Sequence, residues 1–312
     1  MNMNSPNSII QVQNVSFAYK SGSKILNAVS LDVAKGQIFG LLGPNGGGKT
    51  TLFKIISSLI RNYDGSVIID GLDQKKNLRE VLCRMGVVFQ SPSLDKKLTI
   101  EENLIYHGAL YGLNRKESLS RIDSLLETFS ISARRKDLVG ELSGGLARRA
   151  EIVKSLLHSP KILLMDEPST GLDMAVRLDL WKLLHHVRTT QSVTILLTTH
   201  FVEEADRCDR IALLDRGSII CSGIPSELKQ KLTFKQFHIK PKNLSVTKDF
   251  LTTQLHIPFA EKNEQLHFKS NSTEQADKLT LALSPYVDEI TCRDPSLEDV
   301  FLHHTGREMM GS

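Results

Sequence analysis

Apolar and polar residues alternate over residues 9–17, IIQVQNVSF, and over 29–33, VSLDV, which predicts strands with one covered face. Residues 37–43, QIFGLLG, form a nearly continuous apolar run, as a strand covered on both faces requires. A glycine-rich stretch follows at once. Beyond it, KTTLFKIISSLI places Leu52, Ile55, Ile56 and Leu59 at helical spacing. Asp64-Gly65 reads as a turn before another strand, SVIIDG. From about residue 99 the texture is helical, over TIEENLIYHGALYGL and RKESLSRIDSLLETFSI, and a further helix is expected over 143–160. Two apolar strand runs, KILLMDEP and VTILLTTH, then flank the helical MAVRLDLWKLLHHVRTT. Alternation of strand, helix and strand predicts an α/β core with a parallel sheet. RIALLDRGSIICSG reads as two short strands turning at Arg216-Gly217, closing this region near residue 224.

Past Pro225 the pattern changes. KQFHIKP, KNEQLHFK and VDEITCR read as short strands, with helices over TKDFLTTQL and TEQADKLTLALS. Asp294-Pro295 reads as a helix start with Pro295 at the first helical position, after which Leu297, Val300 and Phe301 share a face. A small α+β unit is expected over residues 226–312.

A chain of 312 residues suggests about two domains, and 40% hydrophobic with 24% charged residues is ordinary for a globular protein. The net charge of +4 is spread rather than blocked, so no nucleic-acid partner is expected. Cys83, Cys208, Cys221 and Cys292 lie far apart without metal-ligand spacing and read as reduced thiols. The N-terminal MNMNSPNSII lacks the basic-then-apolar order of a leader. No apolar run approaches the ~18 residues that span a bilayer. Any membrane-embedded part of the machinery is therefore expected on another chain.

Chemistry concentrates at strand ends. GPNGGGKT, Gly43 to Thr50, follows a buried strand and opens a helix, the setting in which backbone N–H groups and a helix N-terminus cradle phosphate. Gly43, Gly46, Gly47 and Gly48 keep Cβ atoms out of the way, Lys49 supplies a positive charge and Thr50 a hydroxyl for Mg²⁺. Asp166 and Glu167 close an apolar strand, where one acid suits a metal and the next a general base; capping of the strand is the alternative. Gln90 and His200 also stand at strand ends, where a polar residue is either structural or part of a site. A second glycine loop, Ser143-Gly144-Gly145 in GELSGGLARRAEIVKSLLHSP, opens another helix.

The order GPNGGGKT, VVFQ, LSGGL, ILLMDEP, STGLD, TTH resembles the nucleotide-binding domain of ABC (ATP-binding cassette) proteins from residue 9 to about 230. The resemblance implies a P-loop NTPase cassette over residues 1–225, with an antiparallel β subdomain and a helical subdomain at about 91–160, followed by a C-terminal accessory domain over 226–312. It implies binding of ATP and Mg²⁺. Gly43, Pro44, Asn45, Gly46, Gly47, Gly48, Lys49, Thr50 and Thr51 would form the Walker A loop, with Thr50, Gln90 and Asp166 on the metal. Glu167 becomes the catalytic base, Gln90 the Q-loop residue and His200 the switch histidine. Ser143, Gly144 and Gly145 form the signature loop, and Asp173 the D-loop residue. Tyr19 matches the aromatic that stacks on adenine; a core-facing strand residue is the alternative.

Members of this family meet head to tail, each ATP held between one protomer's Walker A and the other's signature loop. One copy of each motif therefore implies a dimer, with itself or a paralogue. Two positions depart from the family pattern: Gly48 stands where alanine or serine is common, and should be harmless or loosen the loop slightly, and Leu146 stands where glutamine is most frequent. The tail DPSLEDVFLHHTGRE resembles that of ATPase subunits of ABC-2-type exporters. That implies a separate transmembrane subunit, export of a substrate, and a place on the cytoplasmic face of the membrane. Coupling is expected through the groove near Gln90 and the insert 91–140. Leu104, Ile105, Tyr106 and Tyr111 are candidate contacts, at least half of them expected in the subdomain core. The basic run Arg134, Arg135, Lys136 reads as a solvated helix face, with a place near lipid headgroups as the alternative. The competing class is a soluble ABC-type ATPase acting on ribosomes or nucleic acid. Against it stand the single cassette and an interval from Thr50 to Ser143 too short for a long coiled coil.

Overall fold

The computed structural model describes residues 7–19, 22–270 and 273–309; the first six residues, on which the leader argument rested, lie outside them. The chain divides into two compact units, residues 1–223 and 224–312.

In the first unit, β1 (Ser8–Ala18) and β2 (Lys24–Ala34) pair antiparallel. The expected strand at 29–33 is longer because Ala28, at φ +48°, marks a break in the alternation that the chain passes without leaving the ladder. β3 (Ile38–Leu42) enters a second sheet and leads into α1 (Lys49–Ile56). β4 (Asp64–Ile69) and the two-residue β5 (Leu72–Asp73) complete the first sheet in the order β2-β1-β4-β5. The turn expected at Asp64-Gly65 is instead part of β4. Ser16 pairs with Asp64 across a register shift, and a Cβ on Gly65 would stand 2.5 Å from the carbonyl oxygens of Gln13 and Asn14. Glycine is there for close approach, not to reverse the chain.

α2 (Leu78–Cys83) and β6 (Met85–Val88) follow, then α3 (Ile100–Leu110), α4 (Arg115–Thr128) and α5 (Gly144–Leu156). A capping box between Thr99 and Glu102 starts α3, and the Asn114 side chain starts α4. β7 (Ile162–Asp166), α6 (Met174–Gln191), β8 (Thr194–Thr199), the short α7 (Val202–Ala205), β9 (Arg210–Asp215) and β10 (Ser218–Gly223) complete the unit. The second sheet runs β10-β9-β3-β8-β7-β6, parallel except for β10. Every residue of β3, β7 and β8 is buried, which is why these runs carry no alternation. One core joins both sheets to α1, through residues such as Val12, Val33, Phe39, Leu52, Phe53 and Leu164.

The basic run is engaged with acids of its own region. Arg135 bonds Glu101 and Asp123, Lys136 pairs with Glu101, and Arg134 pairs with Asp137. Its charges tie the segment before α5 to α3 and α4.

The second unit comprises α8 (Pro225–Gln230), β11 (Lys235–Pro241), α9 (Leu244–Asp249) continued by a π-helical turn at Phe250–Gln254, β12 (Phe259–Lys262), β13 (Gln265–Ser270), α10 (Thr273–Leu283), β14 (Val287–Arg293) and α11 (Leu297–Thr305). Its sheet is antiparallel, in the order β12-β13-β11-β14, and Phe237, Ile239, Leu251, Leu266 and Leu283 fill its core. KNEQLHFK, expected as one strand, holds a hairpin turn: Asn263 and Glu264 both have positive φ, +52° and +61°. The last helix starts later than Asp294-Pro295 suggests. Ser296 is its N-cap and Asp299 closes the box, so Pro295 lies outside, while Leu297, Val300 and Phe301 are buried together. Side-chain capping outweighs the preset φ of proline in choosing the start.

Candidate functional site

The C-terminal ends of β3, β8 and β7 are neighbours in the parallel sheet, the end at which open α/β sheets bind ligands. Residues 43–48 leave β3 and turn into α1. A Cβ on Gly43 would lie 2.1 Å from the carbonyl oxygen of Leu214, and Gly48 has φ +106°, open only to glycine, with its Cβ direction 2.9 Å from Leu26 Cδ2. Gly48, expected to be harmless or to loosen the loop slightly where alanine or serine is common, instead holds a conformation and a close approach that favour glycine. Gly47 is the member of the trio with an ordinary φ. Asn45 and Gly46 form the exposed rim of the turn, beside the half-buried Pro44. Lys49 is 4% exposed, and its Nζ donates to the carbonyl oxygens of Gly43 at 2.8 Å and Pro44 at 3.0 Å. Burial holds its pKa below the usual lysine value, against the opposing charges of Glu167 and Asp166.

Lys49 Nζ lies 3.6 Å from Glu167 Oε1. Asp166, at the tip of β7, accepts from the Thr198 hydroxyl at 2.6 Å and is also reached by the Thr50 hydroxyl. Burial raises its pKa more than these bonds lower it. Glu167 stands at φ +45°, a strained value for a residue with a side chain. Its N–H donates to both Oγ1 and the carbonyl oxygen of Thr198, at 3.0 and 3.2 Å. Its carboxylate receives Thr170 Oγ1 at 3.2 Å and Gln90 Nε2 at 3.4 Å. His200 Nδ1 is 3.3 Å from Glu167 Oε1 but without hydrogen-bond alignment, so this buried nitrogen has no bonded partner. Thr51 packs into α1, and Tyr19 is 44% exposed, its ring edge-on to Phe17 at 4.8 Å.

The remaining predicted residues gather elsewhere. Ser143 caps α5 by accepting from Leu146 N at 3.4 Å, and Asp173 caps α6 by accepting from Val176 N at 3.0 Å. A Cβ on Gly145 would lie 2.7 Å from Val176 Cγ1, so the two helix starts adjoin. Ser143, Gly144 and Asp173 are exposed. Among the described residues no hydrogen bond or ion pair joins this group to Lys49, Asp166, Glu167 or His200. Of the expected coupling contacts, Leu104 is fully buried and unavailable, Ile105 and Tyr111 are half-buried, and Tyr106 is 62% exposed.

Three buried charges of α5, Arg148, Glu151 and Lys154, were not anticipated. Arg148 donates to the carbonyl oxygens of Phe89 at 2.7 Å and Gln90 at 3.2 Å. Glu151, 1% exposed, accepts from Ser93 N at 2.6 Å and Leu94 N at 2.7 Å. These bonds fasten the segment bearing Gln90 to the helix that Ser143 starts. The available signal was charges spaced three apart among the apolar residues of α5.

A glycine cradle, a buried lysine lying on that cradle's own carbonyls, and two shielded carboxylates at the tip of β7 suit a polyphosphate. Hard oxygen donors from Asp166, Thr50 and Gln90 suit Mg²⁺. Fold and site together define a P-loop nucleoside triphosphatase. Residues 26–170 match the ABC transporter family. The chain is 34% identical over 305 residues to the Nod factor export ATP-binding protein I of Rhizobium johnstonii, with 96% of each covered. It is 32% identical over 297 residues to the daunorubicin resistance ATP-binding protein DrrA3 of Streptomyces coeruleorubidus, covering 91% of this chain and 92% of the relative. Among solved structures, a dimeric ATP-binding cassette in a post-hydrolysis state, bound to ADP and Pi, superposes with a TM-score of 0.63 at 26% identity, covering 69% of this chain and 98% of that one. CbiO1 of Clostridium perfringens, at 23% identity and a TM-score of 0.67 over 80% of this chain and 97% of its own, shares the fold. The chain belongs to the ABC transporter family and is an ATP-binding ATPase. Among the described residues no helix is long and apolar enough to cross a membrane.

Proposed function

We propose that this chain is the motor of an ABC-2-type exporter, closing as a dimer on two ATP molecules and driving a separate transmembrane subunit from the cytoplasmic face of the membrane. The observation that carries this is the separation of its motifs into two groups. Lys49, Asp166, Glu167, Gln90 and His200 converge, whereas exposed Ser143, Gly144 and Asp173 and the half-buried Gly145 lie together without bonds to them among the described residues. A phosphate held by the first group would need the second from another protomer, and helix N-termini with exposed N–H groups are suited to it. The names of the relatives support the export reading.

In this reading the 43–51 loop and Lys49 bind the phosphates, and Tyr19 stacks on adenine. Thr50, Gln90 and Asp166 would hold Mg²⁺, which when bound neutralises charge on the phosphates. Glu167 takes the proton of the attacking water, its carboxylate aimed by Thr170 and Gln90. His200, whose Nδ1 has no bonded partner, hydrogen-bonds the γ-phosphate or reports its loss. Residues 1–225 act as the motor, with the helical subdomain at about 91–160, and 226–312 as an accessory domain. The exposed Tyr106 and half-buried Ile105 and Tyr111 receive the membrane subunit.

The test combines Glu167→Gln with ATP. The variant is expected to lose phosphate release, to run as a dimer on size exclusion only with ATP, and to retain a hydrophobic partner when pulled from detergent-solubilised membranes. A Glu167→Gln chain with undiminished turnover would overturn the catalytic assignment. A chain that retains ribosomes or nucleic acid in place of a membrane partner would overturn the export assignment.

A further inference from the structure

Glu204 is 2% exposed, and among the described residues no cation pairs with it. A buried carboxylate without a counter-charge is expensive unless strong hydrogen bonds satisfy it. Both of its oxygens are occupied. Oε1 accepts from the Ser169 hydroxyl, and Oε2 accepts from the Thr199 hydroxyl at 2.6 Å. Thr199 Oγ1 accepts in turn from Phe201 N at 3.0 Å, fixing the backbone on both sides of His200. Ser169 lies two residues after Glu167 and four before Asp173. One carboxylate therefore bolts the loop leaving β7 to the loop leaving β8.

A second tether joins the same loops. The Arg177 guanidinium, from the first turns of α6, stacks 4.1 Å from the ring centroid of Phe201 and donates to the Leu172 carbonyl at 3.4 Å. Phe201 in turn packs on the His200 ring, centroid to centroid at 4.1 Å. Among the described residues no hydrogen bond or ion pair joins Glu204, Ser169, Arg177 or Phe201 to the phosphate cradle at 43–51.

We infer that Glu204 is a positioning residue for hydrolysis: through Ser169 and Thr199 it couples the Glu167–Asp173 loop to His200, so that the two loops move as one. The inference rests on the roles proposed above for Glu167 and His200.

The test uses the full chain, measuring ATP turnover and, separately, affinity for a fluorescent ATP analogue. Glu204→Ala is expected to lower kcat by about 10- to 100-fold, the usual effect of misplacing a reacting group, with nucleotide affinity within about twofold. Glu204→Gln keeps an acceptor for Thr199 and offers a donor to Ser169, and is expected to recover most of kcat. In a His200→Ala background, Glu204→Ala is expected to cost less than about twofold more, since residues acting as one unit are not additive. Should Glu204→Ala fail to fold, Ser169→Ala, which cuts one arm of the bridge, carries the same cycle. Equal factors in both backgrounds, or a parallel fall of affinity and kcat, would overturn the inference alone. Unchanged turnover in His200→Ala would overturn the role of His200 and this inference with it.

Discussion

Replacing Glu151 separates two ways in which α5 could hold the Gln90 segment. Oε1 accepts from Ser93 N at 2.6 Å and Leu94 N at 2.7 Å, while Oε2 accepts from Ser93 Oγ at 2.8 Å and lies 3.6 Å from Lys154 Nζ. Alanine would orphan two backbone donors and leave a buried lysine unpaired. Three bonds to a charged acceptor at about 1.5–3 kcal/mol each overstate the loss, because water enters the gap. Breaking a buried pair on one side costs about 3–5 kcal/mol, and that is the expected value. Glutamine with its carbonyl at the Oε1 position keeps both backbone bonds and loses only the Oε2 side, for about 1–2 kcal/mol. For a unit of this size those values correspond to a drop in Tm of about 6–20 °C for alanine and about 2–8 °C for glutamine. Calorimetry of the full chain, beside ATP turnover, measures both. Glu151→Gln as destabilising as Glu151→Ala would refute the view that the two backbone N–H groups hold the segment. Glu151→Ala with normal stability would refute the burial argument altogether.

Gly48→Ala is expected to cost about 2–3 kcal/mol and to weaken ATP binding, from its φ of +106° and the 2.9 Å approach to Leu26, whereas Gly47→Ala costs less; thermal melts and nucleotide titration compare them. Burial holds His107 and His158 down to about 4, against 6.5 ordinarily. Between those values the unfolded chain binds their protons more readily than the folded one, so stability is full above about pH 6.5 and falls as pH drops towards 4. His107→Gln should remove about one proton from that dependence, read by denaturant unfolding at several pH values. Glu264→Gly should stabilise the β12–β13 hairpin by about 0.5–1 kcal/mol, since φ +61° suits glycine, and an unchanged melt of the second unit would contradict this.

The sequence by itself determined the parallel core, because its buried strands are unbroken apolar runs, and the glycine loop, because strand, glycines, lysine and helix adjoin in the chain. It also placed Asp166, Glu167, Gln90 and His200 at strand ends, where the fold gathers them around Lys49. It misread features that depend on a neighbouring strand: Gly65 stands in a ladder beside a bulge, and Asn263-Glu264 turns a hairpin without the usual glycine. Spacing alone sets Gly48, the glycine just before Lys49-Thr50, apart from Gly47; the approach of Leu26 and the sign of φ supply the physical reason. Tertiary structure alone decided the buried bridges. Arg148 and Glu151 reach a loop some 60 residues away in the chain, and Glu204 meets Ser169 across two strands. A local pattern reports which face of a helix is apolar; it cannot report which distant hydroxyl or N–H will satisfy a charge that the fold has removed from water.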